Sequence, residues 1–79
     1  MESIIMDLSE ALKSTRESQN LTQKELSKMS GVSYSTITKL ETGVITKPSF
    51  FLIVKICQAL EITTDDLLKL ITKYDVKTE

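Results

Sequence analysis

Four side chains able to hydrogen-bond, Tyr34, Ser35, Thr38 and Lys39, fall within six consecutive residues. The steps from Tyr34 to Thr38, Ser35 to Thr38 and Ser35 to Lys39 are each three or four, so a helix would set them on one face. Helices exposed only to solvent usually carry long Glu and Lys residues. This face instead presents hydroxyls and one ammonium, short enough to approach a polar surface. The chemistry it suits is recognition rather than bond making. Nothing else in the chain argues for catalysis: there is no histidine, no nucleophile with a base at motif spacing, no metal-ligand cluster and no glycine loop for a phosphate. No enzyme activity, metal or cofactor is expected. Cys57 sits inside an apolar stripe and reads as a small core side chain rather than a nucleophile or ligand.

The element that must position this face is Gln23 to Glu41, QKELSKMSGVSYSTITKLE. Leu26 and Met29 give one short apolar face before Gly31, and Val32, Ile37 and Leu40 give another after it. Thr22 can N-cap the first helix, with Glu25 completing a capping box, and Ser33 can N-cap the second. Only Gly31, with Val32, is left to turn the chain, so the two helices meet steeply, as in a helix-turn-helix.

The remaining chain supplies three further helices. Ile5, Leu8, Ala11, Leu12 and Thr15 mark a first helix over residues 4–19 with one buried stripe, ended by Asn20. Gly43 ends the helix that carries Leu40. The loop Val44–Lys47 runs to Pro48, which disfavours helical geometry in the residue before it. Ser49 can cap a fourth helix from Phe50 to about Leu60. There Phe50, Ile53, Val54, Ile56, Cys57 and Leu60 cover more than half the circumference, which predicts a central core helix. Thr63 or Thr64 caps a fifth, with Asp65 and Asp66 at its positive end and Leu67, Leu68 and Ile71 packing inward. The fold class expected is all-α, a compact five-helix bundle in one domain spanning 1–79, with a core of about 4–72 and a frayed tail of about 73–79.

The 79 residues fit one small domain, too small to enclose a large active-site cavity. No tract of ~18 apolar residues is present to span a membrane. Residues 1–6 lack the basic flank and long apolar run of a signal peptide, and a lone cysteine forms no internal disulfide, so a cytoplasmic location is expected. Net charge is −1, yet residues 22–49 carry +2 between ends of −2 and −1. A weakly basic middle permits nucleic-acid binding on one face, and an ordinary solvated mixture of charges accounts for it as well.

Together with their spacing, several motifs resemble the Cro/C1-type (XRE-like) helix-turn-helix family of prokaryotic and phage regulators over about Leu8 to Leu68. They are Leu8, Leu12 and Arg16 at four-residue steps, LTQKELS (Leu21–Ser27), SGVSYSTITKLETG (Ser30–Gly43), KPS (Lys47–Ser49) and KICQALEI (Lys55–Ile62). The resemblance implies a lambda-repressor-like DNA-binding domain whose second and third helices read double-stranded DNA. It implies that Gln23 meets a phosphate at a helix N-terminus and braces the recognition helix. Ser33, Tyr34, Ser35, Thr38 and Lys39 match positions facing the major groove, where a hydroxyl can donate or accept. Thr42, Thr46, Lys47 and Ser49 match backbone-holding positions. Arg16 and Glu41 match an ion pair that holds the recognition helix, although taken alone they read as surface charges. Taken alone, Tyr34 reads as a surface aromatic and Lys47 as a loop lysine.

Departures from the family pattern are Thr15 for an apolar residue, Ser27 for alanine, Glu61 for the glycine that commonly ends the fourth helix, and the apolar pair Phe51 and Leu52 at positions usually polar. Phe51 and Leu52 are expected to join Val44 and Ile45 in a dimer or partner contact, or else in a wider core contact with the 43–48 loop. Weak binding by one copy suggests a homodimer on an inverted repeat. Three functions stay open: a transcriptional regulator, most simply a repressor; an antitoxin that also binds a partner protein; and a protein-only interaction module of the same fold.

Overall fold

The computed structural model describes residues 7–71, and the predicted start of the first helix at 4–6 and the predicted tail at 73–79 lie outside them. Five helices follow in order: α1 (Leu8–Ser18), α2 (Gln23–Ser30), α3 (Tyr34–Glu41), α4 (Phe50–Leu60) and α5 (Thr64–Ile71). No strand occurs among the described residues.

Local side-chain chemistry accounts for the boundaries. Asp7 is extended and accepts the Glu10 N–H, so α1 begins at Leu8. The Thr22–Glu25 capping box is reciprocal, at 3.0 and 2.8 Å. Ser33 and Ser49 cap α3 and α4 in the same way. Of the two candidate threonines before α5, Thr63 is the cap: its hydroxyl accepts the Asp66 N–H, and its own N–H donates to Asp66. At the C-termini, Asn20, Gly31, Gly43 and Glu61 all adopt positive φ. Gly31, at φ +76°, and Val32 are the whole break between α2 and the extended cap Ser33 of α3.

Ala11, Leu12, Leu26, Val32, Ile37, Leu40, Ile56, Cys57, Leu60 and Leu67 form one buried cluster to which all five helices contribute. α3 packs on α1 and α2, α2 packs also on α4, and α5 closes against α1 and α4. Burial of these side chains, each worth ~1.5–3 kcal/mol when large and aliphatic, is what fixes the angle between α2 and α3.

Three apolar residues predicted to face inward do not. Met29 is 54% exposed: α2 is two turns long and enters the core through Leu26, and Val32 beyond the turn takes the next core place. Phe50 is 67% exposed because it opens the first turn of α4, past the end of the core that Ile56, Cys57 and Leu60 fill. Leu68 is exposed while its neighbour Leu67 is buried. Ile53 and Val54 are half-buried. Two departures from the family pattern have local explanations. The Thr15 hydroxyl donates to the Ala11 carbonyl, which satisfies it beside the core. The Ser27 hydroxyl donates to the Val32 carbonyl at 2.6 Å and so ties α2 across the turn.

Candidate nucleic-acid interface

The α3 surface depends on an ion pair behind it. Arg16 Nε and Nη2 donate to Glu41 Oε2 and Oε1 at 2.8 and 2.9 Å, and Arg16 Nη1 donates to the Leu21 carbonyl. The two residues are 7% and 9% exposed. The Glu41 hydrogen bonds, aided by the Glu41 and Glu17 charges, hold the Arg16 guanidinium above its ordinary value despite burial. Gln23 extends this network. Its Nε2 donates to Glu41 Oε1 at 2.9 Å, and its Oε1 accepts from the Thr38 hydroxyl at 3.3 Å. One chain of polar contacts therefore runs from α1 through the end of α3 and the start of α2 to the middle of α3. Among the described residues no buried side-chain nitrogen or oxygen lacks a partner.

Beyond this brace, Tyr34, Ser35 and Lys39 are exposed on α3, and Thr38 is half-buried. The side chains of Ser35 and Lys39 make no hydrogen bond or ion pair among the described residues, so both are available to a partner. Other hydroxyls are committed. Ser33 accepts the Thr36 N–H and donates to Thr36 Oγ1, which makes it a helix cap before anything else. Thr38 donates to the Tyr34 carbonyl as well as to Gln23. Thr42 donates to the Thr38 carbonyl at 2.8 Å and would have to release it to serve a phosphate, which only accepts. Ser49 accepts from Leu52 N–H and keeps its own proton to donate. Thr46 and Lys47 are exposed in the α3–α4 connection.

Lys24 was not among the candidate residues, yet its ammonium lies 5.8 Å from the centre of the Tyr34 ring. The long Lys24 side chain, from the first turn of α2, reaches the ring of Tyr34 at the start of α3 as a cation–π contact. The local charge is also more basic than the residue tally suggests, because Glu41 is neutralised internally by Arg16. Exposed Lys24, Lys28, Lys39 and Lys47 then face only Glu25 from the same segment.

The four apolar candidates divide into two pairs. Val44 and Phe51 are exposed, Phe51 at 74%, and the Phe51 ring meets Phe50 edge-on at 5.8 Å. Ile45 and Leu52 are half-buried against the core. A recess of 160 Å³ lined by Asp7, Leu8, Ser9, Gly43, Ile45 and Thr46 is smaller than the ~300–1,000 Å³ of small-molecule sites. Among the described residues no group of His, Cys, Asp and Glu could hold a metal, and no helix is long and apolar enough to cross a membrane.

A helix-turn-helix family model matches residues 12–77 of the chain. Comparison with curated proteins finds no match. Comparison with solved structures finds several. The clp gene regulator ClgR from Corynebacterium glutamicum is 33% identical, with 80% of each chain covered and a TM-score of 0.74. The restriction-modification controller protein C.AhdI from Aeromonas hydrophila is 28% identical, covering 76% of this chain and 89% of that one, with a TM-score of 0.72. The P22 c2 repressor, solved in complex with a synthetic operator, is 28% identical over 82% of this chain and 97% of its own, with a TM-score of 0.72. The family match over most of the length, the glycine turn between two capped helices and the braced polar face of α3 agree: the chain belongs to the Cro/C1-type helix-turn-helix family of DNA-binding transcriptional regulators.

Proposed function

We propose that the protein binds double-stranded DNA sequence-specifically as a transcriptional repressor, reading the major groove with α3. The observation that carries this reading is the exposure of Tyr34, Ser35 and Lys39 on a helix whose other side is anchored by the Arg16–Glu41–Gln23 network. A base-reading helix must be rigid, since a hydrogen bond to a base edge discriminates only when its donor is held in place. Lys39 suits a guanine edge or a phosphate, and Tyr34 suits a thymine methyl or a phosphate. The free amides at the start of α2, together with Lys24, Lys47 and Ser49, suit phosphates that set register rather than sequence. Similarity to the P22 c2 repressor, solved on an operator, supports the same partner.

Few such contacts arise from one copy, so the functional unit we propose is a homodimer on an inverted repeat, with recognition helices ~34–36 Å apart. Repression would follow from occlusion of a promoter. Exposed Val44 and Phe51 favour a protein contact beside the DNA face, and a second copy is the occupant we propose.

Titration of mixed-sequence duplex at several salt concentrations tests the function. Log affinity should fall linearly with log salt, at about 0.9 per phosphate contacted. Lys39→Ala and Thr38→Ala should change the sequence preferred in selection from a random pool. An affinity independent of salt, or no measurable duplex binding, would favour the protein-only reading.

A further inference from the structure

Resting on that DNA-reading function, we infer that the Thr38 hydroxyl is held as a hydrogen-bond acceptor, so that it selects the amino groups of cytosine or adenine and disfavours guanine. A hydroxyl has one proton to give. Thr38 Oγ1 has two oxygens in reach for it, the Tyr34 carbonyl at 3.0 Å and Gln23 Oε1 at 3.3 Å. Neither can donate in return.

The Tyr34 carbonyl, the nearer of the two, suffices for that polarity. The orientation of the Gln23 amide decides whether the acceptor side of Oγ1 stays open, and it is set from behind. Gln23 Nε2 lies 2.9 Å from Glu41 Oε1. Reversing the amide would put two acceptor oxygens at that distance, and would turn the amide NH₂ toward Thr38. Arg16 places two donors on the same carboxylate. The buried ion pair thus does more than hold α3 in place. Through Gln23 it keeps the amide NH₂ off Thr38, so Oγ1, its proton given to the Tyr34 or Gln23 oxygen, retains an open acceptor site.

In the major groove cytosine N4 and adenine N6 are donors, whereas guanine O6 and N7 and thymine O4 are acceptors. An acceptor-only Thr38 pairs with the first pair and is mismatched to the second. Ser35, one turn earlier on the same face, has no intramolecular partner for its hydroxyl among the described residues and can serve either polarity. Lys39 is donor-only, so it complements Thr38. A face carrying a fixed acceptor beside a fixed donor discriminates more sharply than hydroxyls free to rotate.

The test is selection from a random duplex pool by the wild-type protein, Thr38→Val and Thr38→Ser. Valine keeps the shape of threonine and removes the hydroxyl, and serine restores it. One base pair of the selected site should be preferred by the wild-type and Thr38→Ser proteins and lose that preference with Thr38→Val, its cytosine or adenine supplying the amino group on whichever strand faces Thr38. At that position, a duplex whose base lacks the exocyclic amino group should bind wild-type protein roughly two- to tenfold more weakly and Thr38→Val equally. Equal wild-type affinity for the parent duplex and for the duplex lacking that amino group overturns the inference and leaves DNA binding intact. So does a preference that Thr38→Val retains, as a methyl contact would give. Failure of the wild-type protein to enrich any sequence removes the DNA-reading function itself, and the inference with it.

Discussion

Glu41, the last residue of α3, reaches across the bundle to take two hydrogen bonds, 2.8 and 2.9 Å, from Arg16 of α1. Twenty-five residues separate the two along the chain. The pair is closed on every side: Gln23 donates to the same carboxylate, and the Leu21 carbonyl takes the third guanidinium contact. A buried ion pair is weak evidence for stability, because desolvation offsets the Coulomb attraction, but breaking one partner strands the other. Its value here is positional. It ties the end of α3 to α1 behind it.

Glu41→Ala should therefore cost about 3–5 kcal/mol of stability, since it leaves a buried guanidinium and the Gln23 amide without their acceptor. The double replacement Arg16→Met, Glu41→Leu should lose far less, because no charge remains to strand. Urea unfolding midpoints of wild-type, single and double variants measure the difference. Equal losses in both variants would show that packing at these positions, and not charge pairing, is what matters.

Glu61→Gly should stabilise the protein by about 0.5–1 kcal/mol. Glu61 ends α4 at φ 58° and ψ 40°, where a Cβ is disfavoured, while its N–H and that of Ile62 still close onto α4 carbonyls. Glycine keeps those hydrogen bonds and removes the steric cost, less the extra freedom it gives the unfolded chain. For a domain of this size the gain is several degrees in melting temperature. A melting temperature that falls would mean that the glutamate side chain contributes something at this position.

Where local chemistry dominates, the chain was readable. The caps at Thr22, Ser33 and Ser49 and the turn at Gly31 all depend on residues within three positions of one another, and they stand where the sequence puts them. Periodicity was less informative about which apolar side chains are covered. It gives the phase of a stripe but not where the opposing surface stops, so Phe50 at the start of α4 and Met29 near the end of α2 share a stripe with core residues and extend past it. The Arg16–Glu41 pair came only from family resemblance, since no spacing rule links residues that far apart. The contact between Thr38 and Gln23 was beyond reach, because it joins two helices through a glutamine amide that Glu41 orients.

Acid should weaken the fold through Asp7 and Asp66. Backbone and hydroxyl hydrogen bonds lower both carboxyls below their ordinary value of 3.8: Glu10 N–H and the Ser9 hydroxyl at Asp7, and Thr63 at Asp66. A carboxyl depressed in the folded state contributes stability that is present above its unfolded pKa and disappears as pH falls through the folded one. The contribution of these two carboxylates should be constant from neutrality to about pH 4 and decline below that. Asp7→Asn and Asp66→Asn keep an acceptor oxygen without the charge, so the double variant should show a flatter loss of stability below pH 4, read from denaturant midpoints against pH. A slope as steep as that of the wild-type protein would assign the acid sensitivity to other carboxylates.

Self-association should depend on Val44 and Phe51 and not on their apolar neighbours. Ile45 and Leu52 are half-buried against the core, so charging them would unfold the bundle and confuse two effects. Val44 and Phe51 are exposed, and a charge at either costs the monomer little packing. Val44→Asp with Phe51→Asp should leave the monomer's melting temperature within a few degrees and shift sedimentation toward the monomer by at least tenfold in dissociation constant, about 1.4 kcal/mol. Affinity for a full inverted repeat should fall more than affinity for a single half-site, because the second DNA-binding surface would no longer be delivered by the first, whereas the added charge beside the DNA face weakens both alike. An unchanged sedimentation profile together with unchanged full-site affinity would rule this surface out as the contact between copies, and the dimer would then have to form through another face.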